Sequence, residues 1–371
     1  MPQKPKILVA LSGGVDSAVV LYLLKKQGYD VEAAFMKNFS AKVNIKGECP
    51  WIQDRLEAYR VAAHLKVPIR TFNFEKEYHQ KIVKYIFTSY KHGLTPNPDV
   101  LCNNEIKFKL FLDKAIKLGF SQIATGHYAQ VKHDKNGYHL LKGKDKNKDQ
   151  SYFLSGLDQK QLSHTLFPIG HLTKPQVRAI AKQAKLPNYN RPDSQGICFI
   201  GKIDLKTFLS QKIKPKAGDI VDTKNNVLGQ HQGVWYYTIG QRHGLNLSGG
   251  PWYVTDKNLK HNRLIVGRID SQELYKKVVQ INALHFLTKT YKLSLKAKAQ
   301  IRYRQPAQDV IISSSAVEKT SAVEKTNNNR VLDKLEQRYI AKFTTPQKGV
   351  ASGQIIAIYK NQELIASATI V

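Results

Sequence analysis

Short apolar runs alternate with amphipathic helical patterns through the first part of the chain, and this rhythm limits the fold more than any other feature. We predict strands at residues 7–11, 31–36, 69–74 and 122–125, with helices at 16–26, about 53–65, about 75–91 and about 103–118. Such alternation favours a doubly wound parallel sheet, an α/β fold with helices on both faces. Ligands of these sheets bind beyond the carboxyl ends of the strands.

The pattern changes after about residue 205, where short runs rich in Val, Ile, Tyr and Thr replace the long helical patterns. We therefore predict an α/β domain over 1–205, a small, mostly β central domain over 206–276 and a C-terminal β-barrel over 277–371. Predicted strands of the later domains include 218–221, 234–239, 252–255, 264–268 and 296–304. A tandem SAVEKT repeat at 315–326 is interpreted as an exposed loop enlarged by duplication.

The chain is strongly basic, with 58 Lys and Arg against 28 Asp and Glu and a formal net charge of +30. This excess favours a polyanionic partner, with nucleic acid first and an anionic membrane surface second, although a lysine-rich proteome would also explain it. The hydrophobic fraction of 42% excludes disorder as the main state. The longest apolar run, residues 18–24, is too short to span a bilayer.

The cysteine content favours a reducing compartment. Cys49, Cys102 and Cys198 are too few, and odd in number, for a disulfide framework. None of them belongs to a CxxC pair, so zinc and iron–sulfur sites have no support. The first apolar run leads directly into a serine and two glycines, as a first strand does and a signal peptide does not. These features predict a cytoplasmic protein.

Six residues, Ser12-Gly13-Gly14-Val15-Asp16-Ser17, join the first predicted strand to the first predicted helix. Glycines let the backbone approach a ligand closely, a helix N-terminus attracts anions, and serines add hydroxyl donors. The segment therefore predicts a nucleotide phosphate site, with a purely structural glycine turn as the alternative. It matches neither GxxxxGK[ST] nor GxGxxG, and no lysine ends it.

Two thiols lie in loop-like surroundings. The segment TPNPDVLCN, stiffened by two prolines, places Asp99 three positions before Cys102. We expect Cys102 at or just before the start of the helix predicted from 103, where a helix N-terminus favours the reactive thiolate and Asp99 could transfer a proton. A buried, inert cysteine beside a capping residue is the alternative. Together with Cys198, Cys102 suits a relay in which one thiol carries a persulfide and the other resolves it.

Seven motifs together resemble one family. SGGVDS is similar to the signature of the ATP pyrophosphatases, and TPNPDVLCN, ATGHYA, KDQSYFL, SQGICFIG, YTIGQR and IRYRQ follow in the order seen in the tRNA-specific 2-thiouridylases, the MnmA family. The resemblance covers nearly the whole chain. It implies a PP-loop, adenine nucleotide alpha hydrolase-like first domain. It also implies a sulfurtransferase that uses ATP and Mg²⁺ to convert wobble uridine 34 of tRNA into 2-thiouridine.

The resemblance also implies roles for individual residues. ATP would adenylate O2 of the uridine, Cys198 would carry the persulfide sulfur for C2, and Cys102 would attack the persulfide or a later intermediate. Asp99 would act as general acid or base, and a Cys102–Cys198 disulfide would remain. The implied ATP-binding residues, among which Asp16 would lie beside Mg²⁺, are Ala10, Leu11, Ser12, Gly13, Gly14, Val15, Asp16, Ser17, Met36 and Gly126.

The tRNA contacts and partners come from the same resemblance. The implied contacts are Asn97, Pro98 and Asp99 at a flipped-out uridine, and His127, Lys148, Asp149, Gln150, Arg302, Tyr303, Arg304 and Gln354 elsewhere. The lysine-rich run at 132–148 either follows phosphates or forms a solvated hairpin, and an exposed strand pair would equally explain residues 302–304. The implied partners are glutamine, lysine and glutamate tRNAs, a persulfide donor protein or cysteine desulfurase, and a disulfide reductant, with no membrane.

Two other functions remain open at this point. Another ATP pyrophosphatase that transfers nitrogen would keep SGGVDS but would not need Cys102 or Cys198, so changing either cysteine would leave it active. A non-catalytic RNA-binding protein would bind tRNA with steep salt dependence and would never release pyrophosphate.

The third cysteine, Cys49 in GECPWIQD, lies outside the proposed relay pair. We expect Cys49→Ser to form 2-thiouridine at the wild-type rate, because neither the carrier nor the resolving thiol is changed. Mass spectrometry of nucleosides from treated tRNA measures this, and a loss as complete as that of Cys102→Ser would contradict it.

Overall fold

The computed structural model describes residues 4–40, 50–193, 204–315 and 338–371. Cys49, Cys198 with its SQGICFIG motif, and the SAVEKT repeat after Ser315 lie outside these ranges.

The first part of the chain alternates strands and helices as predicted. Its strands are β1 (Lys6–Ala10), β2 (Asp30–Lys37), β3 (Ile69–Asn73), β4 (Gln122–Ala124), β5 (Ala129–Asp134), β6 (Gly137–Lys142) and β7 (Thr165–Leu166). Its α-helices are α1 (Val15–Lys26), α2 (Pro50–His64), α3 (Glu75–Tyr78), α4 (Lys84–Lys91), α5 (Pro98–Cys102), α6 (Leu112–Lys117), α7 (Gln159–Ser163) and α8 (Lys174–Gln183). π-Helical segments at His79–Val83 and Asn103–Phe111 join α3 to α4 and α5 to α6.

Within the described residues, five of these strands form a parallel sheet in the order β3-β2-β1-β4-β7. Ile7, Leu8 and Val9 of β1 are fully buried, because helices cover both faces of the sheet. The strand order reverses between β1 and β4, which opens a crevice at their carboxyl ends. The segments after these two strands, which include Ser12 and Gly126, therefore meet at the place where such sheets bind ligands.

One helix boundary differs from the prediction. The helix expected to begin near residue 103 begins at Pro98, with Asn97 as its N-cap, since the Asn97 side chain accepts a hydrogen bond from Val100 N. Proline fits the first helical position because it has no N–H to leave unpaired, whereas we interpreted the two prolines only as loop residues. Cys102 is therefore the last residue of α5 and not a residue at the start of a helix.

The central part consists of α9 (Leu205–Ser210) and a sheet of β8 (Gly218–Asp222), β9 (Val227–His231), β10 (Tyr253–Asn258) and β11 (Arg263–Gly267), in the order β10-β11-β8-β9. The strand predicted at 234–239 is wrong, because Val234–Tyr236 forms a 3₁₀ turn. Val234 and Tyr236 are both buried there. Alternating burial in so short a segment resembles a strand in the sequence alone.

The last part is a closed barrel of β12 (Tyr275–Phe286), β13 (Leu295–Gln300), β14 (Gln308–Ser314), β15 (Tyr339–Lys348), β16 (Ile355–Lys360) and β17 (Glu363–Ile370). The described strands run in the order β12-β15-β14-β13-β16-β17, and a β12–β17 pairing closes the ring. The predicted α/β, small β and barrel architecture is thus confirmed. Strand β13 ends at Gln300, so Arg302, Tyr303 and Arg304 follow it in a turn and do not extend the strand.

The β5–β6 hairpin joins the first part of the chain to the barrel. Leu140 and Leu141 of β6 pair with Leu364 and Glu363 of β17. The lysine-rich run is thus in part a strand pair that widens the barrel sheet. Among the described helices, none combines the length and the apolar character required to cross a membrane.

His139 on β6 provides a pH-dependent link across this pairing. Its Nδ1 lies 2.8 Å from Glu363 Oε1 and its Nε2 lies 3.0 Å from Asp134 Oδ1. Burial opposes protonation, but the hydrogen bonds to Glu363 and Asp134 outweigh it and raise the pKa of His139 above 6.5. The stabilisation is therefore complete below pH 6.5 and is lost as the pH rises through the raised pKa.

We expect His139→Gln to lower the melting temperature by roughly 2 °C at pH 6 and by less at pH 9. Thermal denaturation at the two pH values measures the difference. His133→Gln on the neighbouring strand is the matched control, since the His133 ring stacks on Tyr138. A His139→Gln deficit that is equal at both pH values would contradict the prediction.

Candidate active site at the carboxyl ends of the parallel strands

The Ser12–Ser17 loop forms a compact turn at the N-terminus of α1. Ser17 Oγ accepts a hydrogen bond from Ser12 N at 3.2 Å and donates one to Gly14 O at 3.0 Å. Gly14 is the N-cap of α1 and makes no side-chain cap. The first backbone N–H groups of a helix have no partner within it, so this end can bind an anion.

Two glycines permit close approaches around the loop. Gly13 has φ +81°, and a Cβ there would lie 2.3 Å from Asp54 O on α2. A Cβ at Gly126 would lie 2.9 Å from Ser17 N, so the segment after β4 packs directly on the first turn of α1. Met36 is buried near the end of β2, next to β1 in the sheet. The structure thus brings the predicted nucleotide residues to one edge of the sheet.

Asp16, in the first turn of α1, accepts two hydrogen bonds on the same oxygen. The Tyr128 hydroxyl donates to its Oδ1 at 2.8 Å, and Lys174 Nζ donates at 2.6 Å. Burial, and then the charge of Asp16, raise the pKa of Tyr128 far above its usual value, so this phenol keeps its proton. Neither Tyr128 nor Lys174 was among the predicted site residues.

Asp193 lies on the other side of Lys174 and contacts three cations. Lys148 Nζ is 2.5 Å from Oδ2, and Lys174 Nζ and Arg178 Nη2 are 2.8 and 2.7 Å from Oδ1. Burial opposes ionisation, but the hydrogen bonds from Lys148 and Lys174 hold the pKa of Asp193 far below its usual range. Lys148, predicted to contact tRNA, is therefore part of an ionic cluster next to the phosphate loop.

A further pair of side chains holds the backbone of the loop. Asn188 Nδ2 donates to Gly13 O at 2.8 Å, and Arg191 Nη1 donates to the same oxygen at 3.0 Å. Arg191 also pairs with Asp54 Oδ1 at 2.5 Å. These residues follow the loop by more than 170 positions, so no local pattern could have identified them.

The segment that carries Asp99 and Cys102 lies against the other face of the sheet. Cys102 is 0% exposed and packs in the same apolar cluster as Met36. Asp99 is half-buried in the first turn of α5. Cys102, at the end of the helix, is not where a helix N-terminus would favour its thiolate most strongly, which corrects the expected position.

Residues from the other two parts of the chain bond to the backbone of this segment. Gln354 Nε2 donates to Thr95 O and Pro96 O, both at 3.2 Å, and Thr95 N donates to Ser352 O at 2.8 Å. From the central part, Lys257 Nζ donates to Gly93 O. Gln354, predicted to contact tRNA, thus positions the loop that leads to Asp99 and Cys102.

Three more predicted tRNA contacts have partners within the protein. Asp149 accepts hydrogen bonds from Gly143 N and Ser151, and Gln150 Oε1 accepts one from Tyr128 N at 3.0 Å. His127 is buried, and its Nδ1 lies 2.7 Å from the Thr125 hydroxyl oxygen. Burial and the charge of Lys107 lower the pKa of His127 well below 6.5, so the ring is neutral at pH 7.

The turn after β13 divides its three predicted RNA contacts. Arg302 is directed inward, with Nη2 donating to Ile239 O at 2.7 Å and to Gly349 O, and so joins the central part to the barrel. The Tyr303 ring packs 4.3 Å from that of Phe153, and the exposed Arg304 guanidinium lies 5.3 Å from the Tyr303 ring. These contacts with tRNA stay predictions.

Three family models match the chain in sequence. The tRNA methyl transferase HUP domain matches residues 5–202, the tRNA methyl transferase PRC-barrel domain matches 206–268, and the aminomethyltransferase β-barrel domain matches 276–370.

Similar proteins carry one name, tRNA-specific 2-thiouridylase MnmA. The protein of Pediococcus pentosaceus is 42% identical over 99% of this chain and 95% of its own length. That of Alkaliphilus oremlandii is 43% identical, covering 100% and 98%, and that of Nitrosococcus oceani is 43% identical, covering 99% and 97%.

The two glycines of the loop predict different tolerance to a methyl group. Gly13→Ala would place Cβ 2.3 Å from Asp54 O at a φ of +81°, whereas at Gly14 the nearest atom is Ser12 Oγ at 3.4 Å and φ is −78°. We expect Gly13→Ala to destabilise the fold by more than about 1 kcal/mol, since L residues avoid this φ. Thermal melting measures both variants, and equal losses would contradict the prediction.

Proposed function

The chain belongs to the tRNA-specific 2-thiouridylase family of sulfurtransferases, and from that premise we propose how its residues carry out an ATP-dependent conversion of uridine 34 to 2-thiouridine. The observation that carries the proposal is the presence at one sheet of a phosphate-binding helix N-terminus and a cysteine held by a three-part loop.

Adenylation is the first step that we propose. The uridine O2 attacks the α-phosphorus of ATP, and pyrophosphate leaves. The Ser12–Ser17 loop and the N-terminus of α1 bind the phosphates, while Met36 and Gly126 lie where the adenosine would be held. Ala10 and Leu11 lead into the loop. Asp16 supplies a carboxylate oxygen of the kind that Mg²⁺ prefers, and Mg²⁺ would neutralise phosphate charge there.

Sulfur transfer follows by one of two balanced routes. In the first, the Cys102 thiolate attacks the Cys198 sulfur of the persulfide, hydrosulfide leaves, and hydrosulfide displaces AMP from C2. In the second, the outer persulfide sulfur displaces AMP from C2, and Cys102 then attacks the Cys198 sulfur and releases the thiocarbonyl. Both routes end in a Cys102–Cys198 disulfide, which a two-electron thiol reductant must reopen.

A flipped-out base is required, because a stacked uridine cannot present C2 to a buried thiol. Asn97, Pro98 and Asp99 form the start of α5, and we propose that they line the uridine pocket with Asp99 as the proton carrier. The exposed Arg304 beside Tyr303 offers a cation and a ring to the RNA loop.

The partners follow from this chemistry. We propose glutamine, lysine and glutamate tRNAs as substrates, a persulfide carrier or cysteine desulfurase as donor, and the reducing cytoplasm as the location. We further propose domain boundaries at 205/206 and 276/277, so that the loop from 93 to 97 is held by all three domains.

The cysteine relay predicts a specific loss. We expect Cys198→Ser and Cys102→Ser to form 2-thiouridine at below about 1% of the wild-type rate, because each lacks a reacting sulfur. Both variants should still release pyrophosphate from ATP in the presence of tRNA. Nucleoside mass spectrometry and pyrophosphate release, with Mg²⁺-ATP and a persulfide donor, measure the two half-reactions.

Cys49→Ser is the matched control, since it removes a thiol outside the relay. Thiolation by Cys198→Ser would contradict the assignment of the sulfur carrier. If wild-type protein releases AMP and pyrophosphate but forms no thiolated base, the adenylation step survives and the nucleophile is not sulfur.

A further inference from the structure

The Ser12–Ser17 loop contains no lysine, although nucleotide-binding loops commonly use one to reach the β- and γ-phosphates. The structure brings a lysine to the same place from a distant element. Lys174, the first residue of α8, has its Nζ 2.6 Å from Asp16 Oδ1 although the two residues are 158 positions apart. A cation therefore lies beside the first turn of α1.

We propose that Lys174 binds polyphosphate: its ammonium group moves from Asp16 to the β- or γ-phosphate oxygens of ATP, while Asp193 holds the side chain in place. The inference rests on the proposed ATP-dependent function and adds to it the cation that binds the departing pyrophosphate.

The donor geometry of Lys174 permits this exchange. Its side chain is buried, with 10% of its surface exposed, and within the described residues Asp16 and Asp193 accept two of its three N–H donors. A phosphate oxygen can take the third donor or replace Asp16. Charge-assisted hydrogen bonds to phosphate are about twice as strong as neutral ones.

The position of Lys174 is unfavourable for a purely structural lysine. Helix N-termini carry partial positive charge and favour anions, whereas Lys174 occupies the first turn of α8 and lies beside the first turn of α1. Two helix dipoles therefore oppose its charge. A bound polyanion would relieve both, and sites that break a local rule in this way are commonly functional.

Neither carboxylate is left unpaired when Lys174 turns to phosphate. Asp193 keeps Lys148 at 2.5 Å and Arg178 at 2.7 Å, and Asp16 keeps the Tyr128 hydroxyl at 2.8 Å. Since an unpaired buried charge costs several kcal/mol, these remaining partners make the exchange feasible. Asp16 is at the same time released toward Mg²⁺.

A structural ion pair between α8 and α1 is the competing explanation, and ligand selectivity separates the two. A structural role would weaken the binding of every ligand equally, through the fold. A polyphosphate role would weaken only the ligands that carry β- or γ-phosphates.

The test measures dissociation constants of ATP, AMP and inorganic pyrophosphate for the full chain by calorimetry with Mg²⁺. Lys174→Met should weaken ATP and pyrophosphate binding by about tenfold or more and leave AMP binding within about twofold. Lys174→Arg should recover part of the loss, since it restores the charge. Lys182→Met, an exposed lysine on the same helix, should match wild type for all three ligands.

Unchanged ATP and pyrophosphate binding in Lys174→Met, or equal weakening of AMP, would overturn the proposal. If Lys174→Met does not fold, acetylation of wild-type lysines read by mass spectrometry replaces it. Pyrophosphate should then slow acetylation at Lys174 relative to Lys182, and equal rates would overturn the proposal. Thiolation of tRNA by wild-type protein is assayed separately, so failure of the enzymatic function is distinguishable from failure of the Lys174 assignment.

Discussion

Backbone hydrogen bonds of one buried loop, residues 93–97, require all three parts of the chain to be in place. Thr95 and Pro96 have their carbonyls bonded by Gln354 of the barrel, and Gly93 has its carbonyl bonded by Lys257 of the central part. Buried backbone groups without partners are costly, so the loop adopts this form only against its neighbours. Asp99 and Cys102, which follow the loop, therefore depend for their position on residues that do no chemistry themselves.

Much of the fold could be predicted from local patterns. The first strand is a short, wholly apolar run followed by glycines, and its predicted and observed bounds differ by one residue at each end. The start of α5 was missed because its two prolines were taken for loop residues, although proline after an asparagine cap is a helix-start signal. Tyr236 illustrates the other limit, since a buried 3₁₀ turn and a short strand share the same alternating pattern.

The candidate site was predictable only where it is contiguous. Six adjacent residues, from Ser12 to Ser17, carry the signal of a phosphate loop, and all of them lie in one turn. Lys174 and Asp193 come from remote positions, and no periodicity records a contact of that separation. Lys148 and Arg302 show the converse, because a sequence displays their charge but not the internal acceptors that they bind.

The hydrogen bond between Gln354 and Thr95 also has a consequence in time. The two residues are 259 positions apart, and chains are synthesised at about 5–20 residues per second. Roughly 13–52 seconds therefore separate the appearance of the loop from that of the side chain that secures it. Throughout that interval a nascent chain can form β1 and α1 from local contacts while its reactive cysteine still lacks a fixed setting, so capacity for chemistry is the last property that the growing polypeptide acquires.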